Sequence, residues 1–178
     1  QYMESASDPI VAPWGKGQNA YARAWLDGHP ERKSILERVV ALTHSDSPDY
    51  YRMCYWNGTY FAMKDQPPKE QPFLVALPSV TDLSEERVVV DPNALDPTGL
   101  TSIDFYAPAL DGKYVAVSLS KNGTEDGTLY FYETATGRRL EDAIPGVNGG
   151  TAGGSAAWNA DGGGVYYTRY PRQGERPL

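Results

Sequence analysis

Three turns, Asn57-Gly58, Asp111-Gly112 and Asp161-Gly162, stand 54 and 50 residues apart, each followed by an aromatic or β-branched run. Asn-Gly and Asp-Gly pairs accept the positive φ angles of tight hairpins, so each marks a point where an extended chain folds back on itself. The runs around the first turn are Tyr50 to Trp56, Tyr60 to Lys64, Pro72 to Leu77 and Arg87 to Val90. Around the second they are Ser102 to Ala107, Tyr114 to Ser120, Thr128 to Glu133 and a short strand near Arg139. Ser155 to Trp158 and Val165 to Tyr170 flank the third. A repeat of about 50 residues carrying four strands is the spacing of β-propeller blades. The sequence therefore predicts a mainly β chain: two complete four-stranded units and the first half of another. Such a fragment leaves a long open edge, so either a larger whole or another partner along that edge is expected.

Before the repeat, Asn19 to Leu42 carries apolar residues at Ala22, Trp25, Leu26, Ile35, Leu36, Val39, Val40 and Leu42, a spacing near 3.6. Gly28, His29 and Pro30 interrupt it, which predicts two helices joined by a tight corner. The division expected is a helical arm over 1–44 and a propeller portion over 45–178.

Composition narrows the function classes. A formal charge of -7 argues against nucleic acid as a partner, since phosphate neutralisation needs stripes of Lys and Arg. No apolar run approaches the roughly 20 residues of a membrane helix, so the chain is expected to be soluble and off the membrane. Cys54 is the single cysteine and reads as a small buried strand residue. Without an intrachain disulfide, cytoplasmic and periplasmic settings both stay open.

The order and gaps of further motifs carry a resemblance. Tyr2-Met3-Glu4, Trp14 followed by Gln18-Asn19, Pro30 with Arg32 and Ile35, and Val88-Val89-Val90-Asp91-Pro92-Asn93 come first. Asp111-Gly112-Lys113-Tyr114, Ala157-Trp158 and Tyr166-Tyr167 with Arg169-Tyr170-Pro171 follow. In that series the chain resembles the N-terminal part of prolyl oligopeptidase serine peptidases, with Tyr2 where the family usually has Trp and a Pro-rich Asp8 to Pro13 where it is more helical. The resemblance implies an α/β-hydrolase domain capped by a seven-bladed propeller, of which this chain holds the helical arm and about two and a half blades. It implies that the arm packs on the hydrolase side, that Gln1 lies inside a family motif, and that the catalytic Ser, Asp and His fall beyond Leu178. The implied activity is hydrolysis of short, proline-containing peptides with the propeller gating access. The alternative is a stand-alone, noncatalytic module that engages another chain by strand addition.

Within the chain itself, no catalytic, cofactor or metal residue is assigned. The Gly-x-Ser-x-Gly elbow of a serine hydrolase is absent; Gly153-Gly154-Ser155-Ala156-Ala157 lacks the last glycine and opens a strand. His29 and His44 have no serine partner in sequence context, and His-x-x-x-His or Cys-x-x-Cys spacing is missing. The glycine run 149–154 precedes a strand instead of opening a helix, which argues for an inter-blade loop over a phosphate cradle. Two cleft-lining candidates come from the resemblance. Gly153 stands near a family aromatic of the substrate pocket, and Asp126 aligns with an acidic position near the inner mouth. Arg169 is expected to pair with a carboxylate. Asn57-Gly58-Thr59 and Asn122-Gly123-Thr124 match the glycosylation pattern and also make good turns.

Overall fold

The computed structural model describes residues 2–43, 47–149, 153–171 and 174–175. The chain forms two compact units, Gln1–Ser45 and Asp46–Leu178. His44 lies outside the described residues.

The first unit holds a short 3-10 turn, Tyr2–Glu4, and two helices, α1 (Val11–Asp27) and α2 (Arg32–Thr43). Helix α1 begins well before Asn19, within the stretch that its prolines set apart in the sequence. Pro13 is tolerated because it falls in the first turn, where a backbone N–H has no intrahelical partner anyway. Asp8 prepares the start: its carboxylate accepts the Ile10 N–H at 2.8 Å and its carbonyl accepts that of Ala12. At the corner, Gly28 N–H still reaches the Ala24 carbonyl and His29 N–H that of Leu26. Asp27 of α1 then meets Arg32 Nε of α2 at 3.1 Å. The His29 ring stands edge-on to Trp25, 4.2 Å between centroids.

The second unit is built from antiparallel meanders. The first sheet runs β1 (Asp49–Trp56), β2 (Thr59–Asp65), β3 (Phe73–Leu77) and β4 (Arg87–Val90) in that order. The second runs β5 (Thr101–Pro108), β6 (Tyr114–Lys121), β7 (Thr128–Glu133) and β8 (Arg139–Pro145). Strands β9 (Ser155–Trp158) and β10 (Val165–Thr168) pair as a two-stranded sheet. The strand near Arg139 is thus a full member of its sheet. A one-turn helix, α3 (Pro92–Leu95), joins the first two sheets, N-capped by Asp91, whose carboxylate accepts the Asn93 N–H. An Asp followed by Pro is a good helix start, and this signal was present in the sequence.

Alternation along β6 puts apolar side chains on both faces of the second sheet. Val115 and Val117 of β6 pack with Phe61, Met63, Leu74, Ala76, Val89 and Val90 of the first sheet. Ala116, one residue out of phase, joins Leu129, Phe131 and Val147 on the opposite face, against Ala156, Trp158 and Val165 of the third sheet. The second sheet is therefore held between its two neighbours, as a propeller blade requires.

Equivalent positions meet across the sheets. Asn57 Nδ2 donates to the Asp111 carbonyl at 2.9 Å, and a Cβ built on Gly162 would lie 3.9 Å from the Asp111 carboxylate. The three repeated turns stack along one rim. In a meander of this order the β6–β7 and β8–β9 connections fall on the opposite rim, along with the β4–β5 link. Gly137, in the β7–β8 turn, sits close against the first sheet: a Cβ there would come within 2.9 Å of the Val89 carbonyl.

Leu74 is fully buried in the core between the first two sheets. Leu74→Ala is expected to lower stability by about 2–5 kcal/mol, read as a fall in the urea midpoint with an unchanged denaturant slope.

Candidate channel-lining site

The first strand of each sheet lies beside the first strand of the next. Trp158 Nε1 of β9 donates to the Ala107 carbonyl of β5 at 2.7 Å. Arg52 Nη1 of β1 donates to the Asp104 carbonyl of β5 at 3.0 Å. First strands gathered in this way are the ones that face a propeller's central channel.

Strands β1 and β5 share an irregularity. The register of β1 shifts between Tyr51 and Cys54, and that of β5 between Ile103 and Phe105. A bulge re-aims side chains and sharpens local twist. Arg52 sits in the first bulge with φ +49°, a left-handed conformation that non-glycine residues adopt at some cost. Asp104 sits in the second, and its carboxylate accepts Ser118 Oγ at 2.8 Å and Ser120 Oγ at 2.6 Å. Ser118, wholly buried, also contacts the Val147 carbonyl at 2.6 Å. These polar groups sit on strands whose neighbours are apolar, so the hydroxyls supply the partners that a half-buried carboxylate needs.

Arg52, Cys54, Asp104, Phe105, Tyr106 and Gly149 line a cavity of about 340 Å³. The Tyr106 hydroxyl lies between the Phe61 carbonyl, at 3.1 Å, and the Arg52 carbonyl. Cys54 Sγ approaches that hydroxyl at 3.9 Å. Burial pushes the Tyr106 hydroxyl and the Cys54 thiol up from their ordinary values, so both are protonated at neutral pH. Cys54 is half-buried on β1, more open than a small core residue, because the bulge beside it interrupts the close packing.

Asp126 and Gly153 occupy the same rim by topology, in the β6–β7 and β8–β9 connections. Asp126 lines a groove of about 430 Å³ with Thr101, Lys121, Tyr130, Tyr132 and Arg139. Arg139 rides 4.9 Å over the Tyr130 ring, and burial pushes the Tyr132 hydroxyl up to about 12. Gly153 does not line that groove; it has φ +71° with open space where a Cβ would stand, and its carbonyl accepts Thr168 Oγ1 at 2.8 Å. Residues 150–152 of the glycine run lie outside the described residues. Ser155 Oγ pairs with Thr168 Oγ1 at 2.9 Å, and Arg169 pairs with Glu175 at 2.7 Å. Among the described residues, no group of three or more His, Cys, Asp or Glu is placed to hold a metal, and no helix is long and apolar enough to cross a membrane.

The sequence profile described as prolyl oligopeptidase, N-terminal beta-propeller domain, matches residues 1–178. The chain belongs to this family. Prolyl oligopeptidase A of Amanita bisporigera is 25% identical over 182 residues, which take in 90% of this chain and 23% of that protein. Prolyl oligopeptidase A of Galerina marginata is 26% identical over 194 residues, with 96% and 25% covered. A structure from a study of two prolyl endopeptidases, concerned with inter-domain dynamics in catalysis and specificity, superposes with a TM-score of 0.82 at 27% identity, covering 96% of this chain and 24% of that one. Prolyl oligopeptidase B of Galerina marginata, bound to a 25mer macrocyclization substrate, shares the fold with a TM-score of 0.78 at 22% identity, covering 97% and 26%. The chain spans about a quarter of the length of the relatives it matches. The mainly β, partial-propeller reading of the sequence and its family resemblance both hold.

Arg52, Asp104 and their serine partners did not stand out in the sequence. The one signal was a charged residue interrupting each apolar first strand at a similar distance before its turn. Arg52→Val places a β-branched residue at positive φ and is expected to cost about 1–3 kcal/mol, whereas Arg52→Gly suits that backbone and should stay within about 1 kcal/mol of the parent; urea titration reads both. Alkylation of Cys54 in the folded chain should be slower than for an unhindered thiol at neutral pH and should rise as pH passes above the ordinary thiol range. Mass spectrometry after timed quenching measures it.

Proposed function

We propose that this chain is the helical arm and opening blades of an oligopeptidase whose whole form hydrolyses short, proline-containing peptides, with the propeller controlling access to the catalytic centre. The family match along all 178 residues carries this reading. The relatives are named prolyl oligopeptidases, and a structural neighbour is one bound to a peptide substrate. The first strands support the gating part. Their bulges place Arg52 and Asp104 at a cavity on the side where a channel would run, and polar groups fixed by hydrogen bonds suit a passage that admits hydrated peptide.

On this reading the boundary near residues 44–45 divides an arm that packs against a hydrolase domain from the propeller portion, and Asp126 and Gly153 face peptide from the loop-bearing rim. The exposed apolar side chains Trp25, Leu26, Ile35, Leu36 and Val39 line a cavity of about 510 Å³ on the arm and give it a surface suited to such packing. Acyl transfer by a serine needs a nucleophile, a histidine base and a carboxylate held together. Within this chain Ser155 is engaged with Thr168, and His29 stands against Trp25.

A chromogenic proline-containing peptide tests the proposal. The polypeptide that carries this chain together with a hydrolase domain should cleave after proline and be silenced by a serine-directed inhibitor. The 178-residue chain alone should release no chromophore. Inhibitor-sensitive cleavage by the pure 178-residue chain would overturn the assignment of catalysis to other residues, and failure of the complete polypeptide to cleave would overturn the peptidase reading.

A further inference from the structure

The two Asn-Gly-Thr segments offer an internally matched pair. Asn57 and Asn122 each precede Gly-Thr, each has positive φ (+45° and +56°), and each is followed by a glycine in the left-handed region with open space around it. A glycine after asparagine leaves the next backbone nitrogen unhindered, so that it can attack the side-chain amide carbon. What differs is how the structure holds the two asparagines.

Asn57 is pinned twice. Its Nδ2 donates to the Asp111 carbonyl at 2.9 Å, and it sits in a two-residue hairpin closed by the pairing of Trp56 with Thr59. Asn122 occupies the longer connection between β6 and β7, where the last β6–β7 pair is Leu119 with Thr128. Its N–H is anchored to the Leu100 carbonyl at 2.9 Å, but its side-chain amide meets no hydrogen-bond partner among the described residues. Succinimide closure needs the amide carbon and the following nitrogen to swing together. Both Asn-Gly pairs stand at the centre of a tight turn, that of Asn122 closed by Thr124 N–H on the Lys121 carbonyl at 3.0 Å, so the difference lies in the side chains: the Asp111 carbonyl resists the movement at Asn57, and the unbonded amide permits it at Asn122.

We propose that Asn122 is a site of spontaneous deamidation in the folded chain, and that Asn57 is protected by its cross-sheet hydrogen bond. The Gly123 nitrogen forms a bond to Asn122 Cγ while the Cγ–Nδ2 bond breaks, and the proton lost from the Gly123 amide leaves with the side-chain nitrogen as ammonia. Water then opens the cyclic imide on either side of its nitrogen, giving aspartate or isoaspartate at position 122. No oxidant or further reactant takes part. The product matters locally, because Asn122 lines the same groove as Lys121, Asp126 and Arg139. Two cations facing one carboxylate become two facing two, which weakens that groove's attraction for anionic groups.

The test is incubation of the full chain in mildly alkaline buffer, followed by peptide mapping with mass spectrometry and enzymatic labelling of isoaspartate. A parallel sample is held in concentrated urea. The folded chain should convert Asn122 about fivefold or more faster than Asn57, the factor expected from one retained net hydrogen bond, and the two rates should converge in urea. Asn122→Gln should remove the isoaspartate label from its peptide and leave the Asn57 rate unchanged. Equal or inverted rates in the folded chain, no conversion at Asn122, or an Asn122 excess that persists in urea would each overturn the proposal.

Discussion

A four-stranded sheet with apolar side chains on both faces cannot rest in water, and the second sheet is of that kind. Val115 and Val117 need the first sheet, while Ala116, Leu129 and Phe131 need the third. Burial of this type contributes about 25 cal/mol for each Å² of apolar surface removed from water, so neighbouring sheets are the dominant support of each other. The fan geometry, the alignment of the first strands and the stacking of the turns all follow from satisfying both faces at once.

Within that apolar framework the polar groups on the first strands are a controlled exception. Asp104 is tolerated because Ser118 and Ser120 reach it from the adjacent strand, and Arg52 because its bulge turns it toward the Asp104 carbonyl. Gly127 keeps this arrangement intact from outside. A Cβ there would stand 2.5 Å from Ser118 Oγ and 2.6 Å from the Asp104 carboxylate. The residue after Asp126 is thereby tied to the inner strands, which links the rim to the channel side of the same sheet.

The sequence made the elements legible wherever a local rule and the packing agreed. Arg87 to Val90, Thr128 to Glu133 and Ser155 to Trp158 appear with the expected bounds because alternation and turn residues point the same way. The start of α1 was less legible, since Pro13 reads as a breaker unless its place in the first turn is known. The extent of β8 was also hidden: Arg139–Pro145 is largely exposed, and its ladder with β7 comes from pairing with a neighbour more than from its own pattern. The site was least legible. Bulges are a property of two strands in register, so neither the left-handed Arg52 nor the serine-bound Asp104 could be seen in one strand alone. Asp126 and Gly153 came from family likeness, and the structure gives them one rim without joining them in one groove.

The stacked turns make the two rims of the fan unequal. On one side, Asn57, Asp111 and Gly162 fit against each other so closely that lengthening any one hairpin would disturb the next. The opposite rim carries the connections at 91–100, 122–127 and 146–149, which are tied through their backbones: Asn122 N–H donates to the Leu100 carbonyl and Val147 N–H to the Gly127 carbonyl, each at 2.9 Å. The exposed residues 123–126 lie between those two ties, so substitutions can accumulate there with little effect on the sheets. The fold thereby confines its editable surface to short exposed stretches between fixed points, and lineages that share this framework can diverge in what they recognise while both rims keep the blades in step.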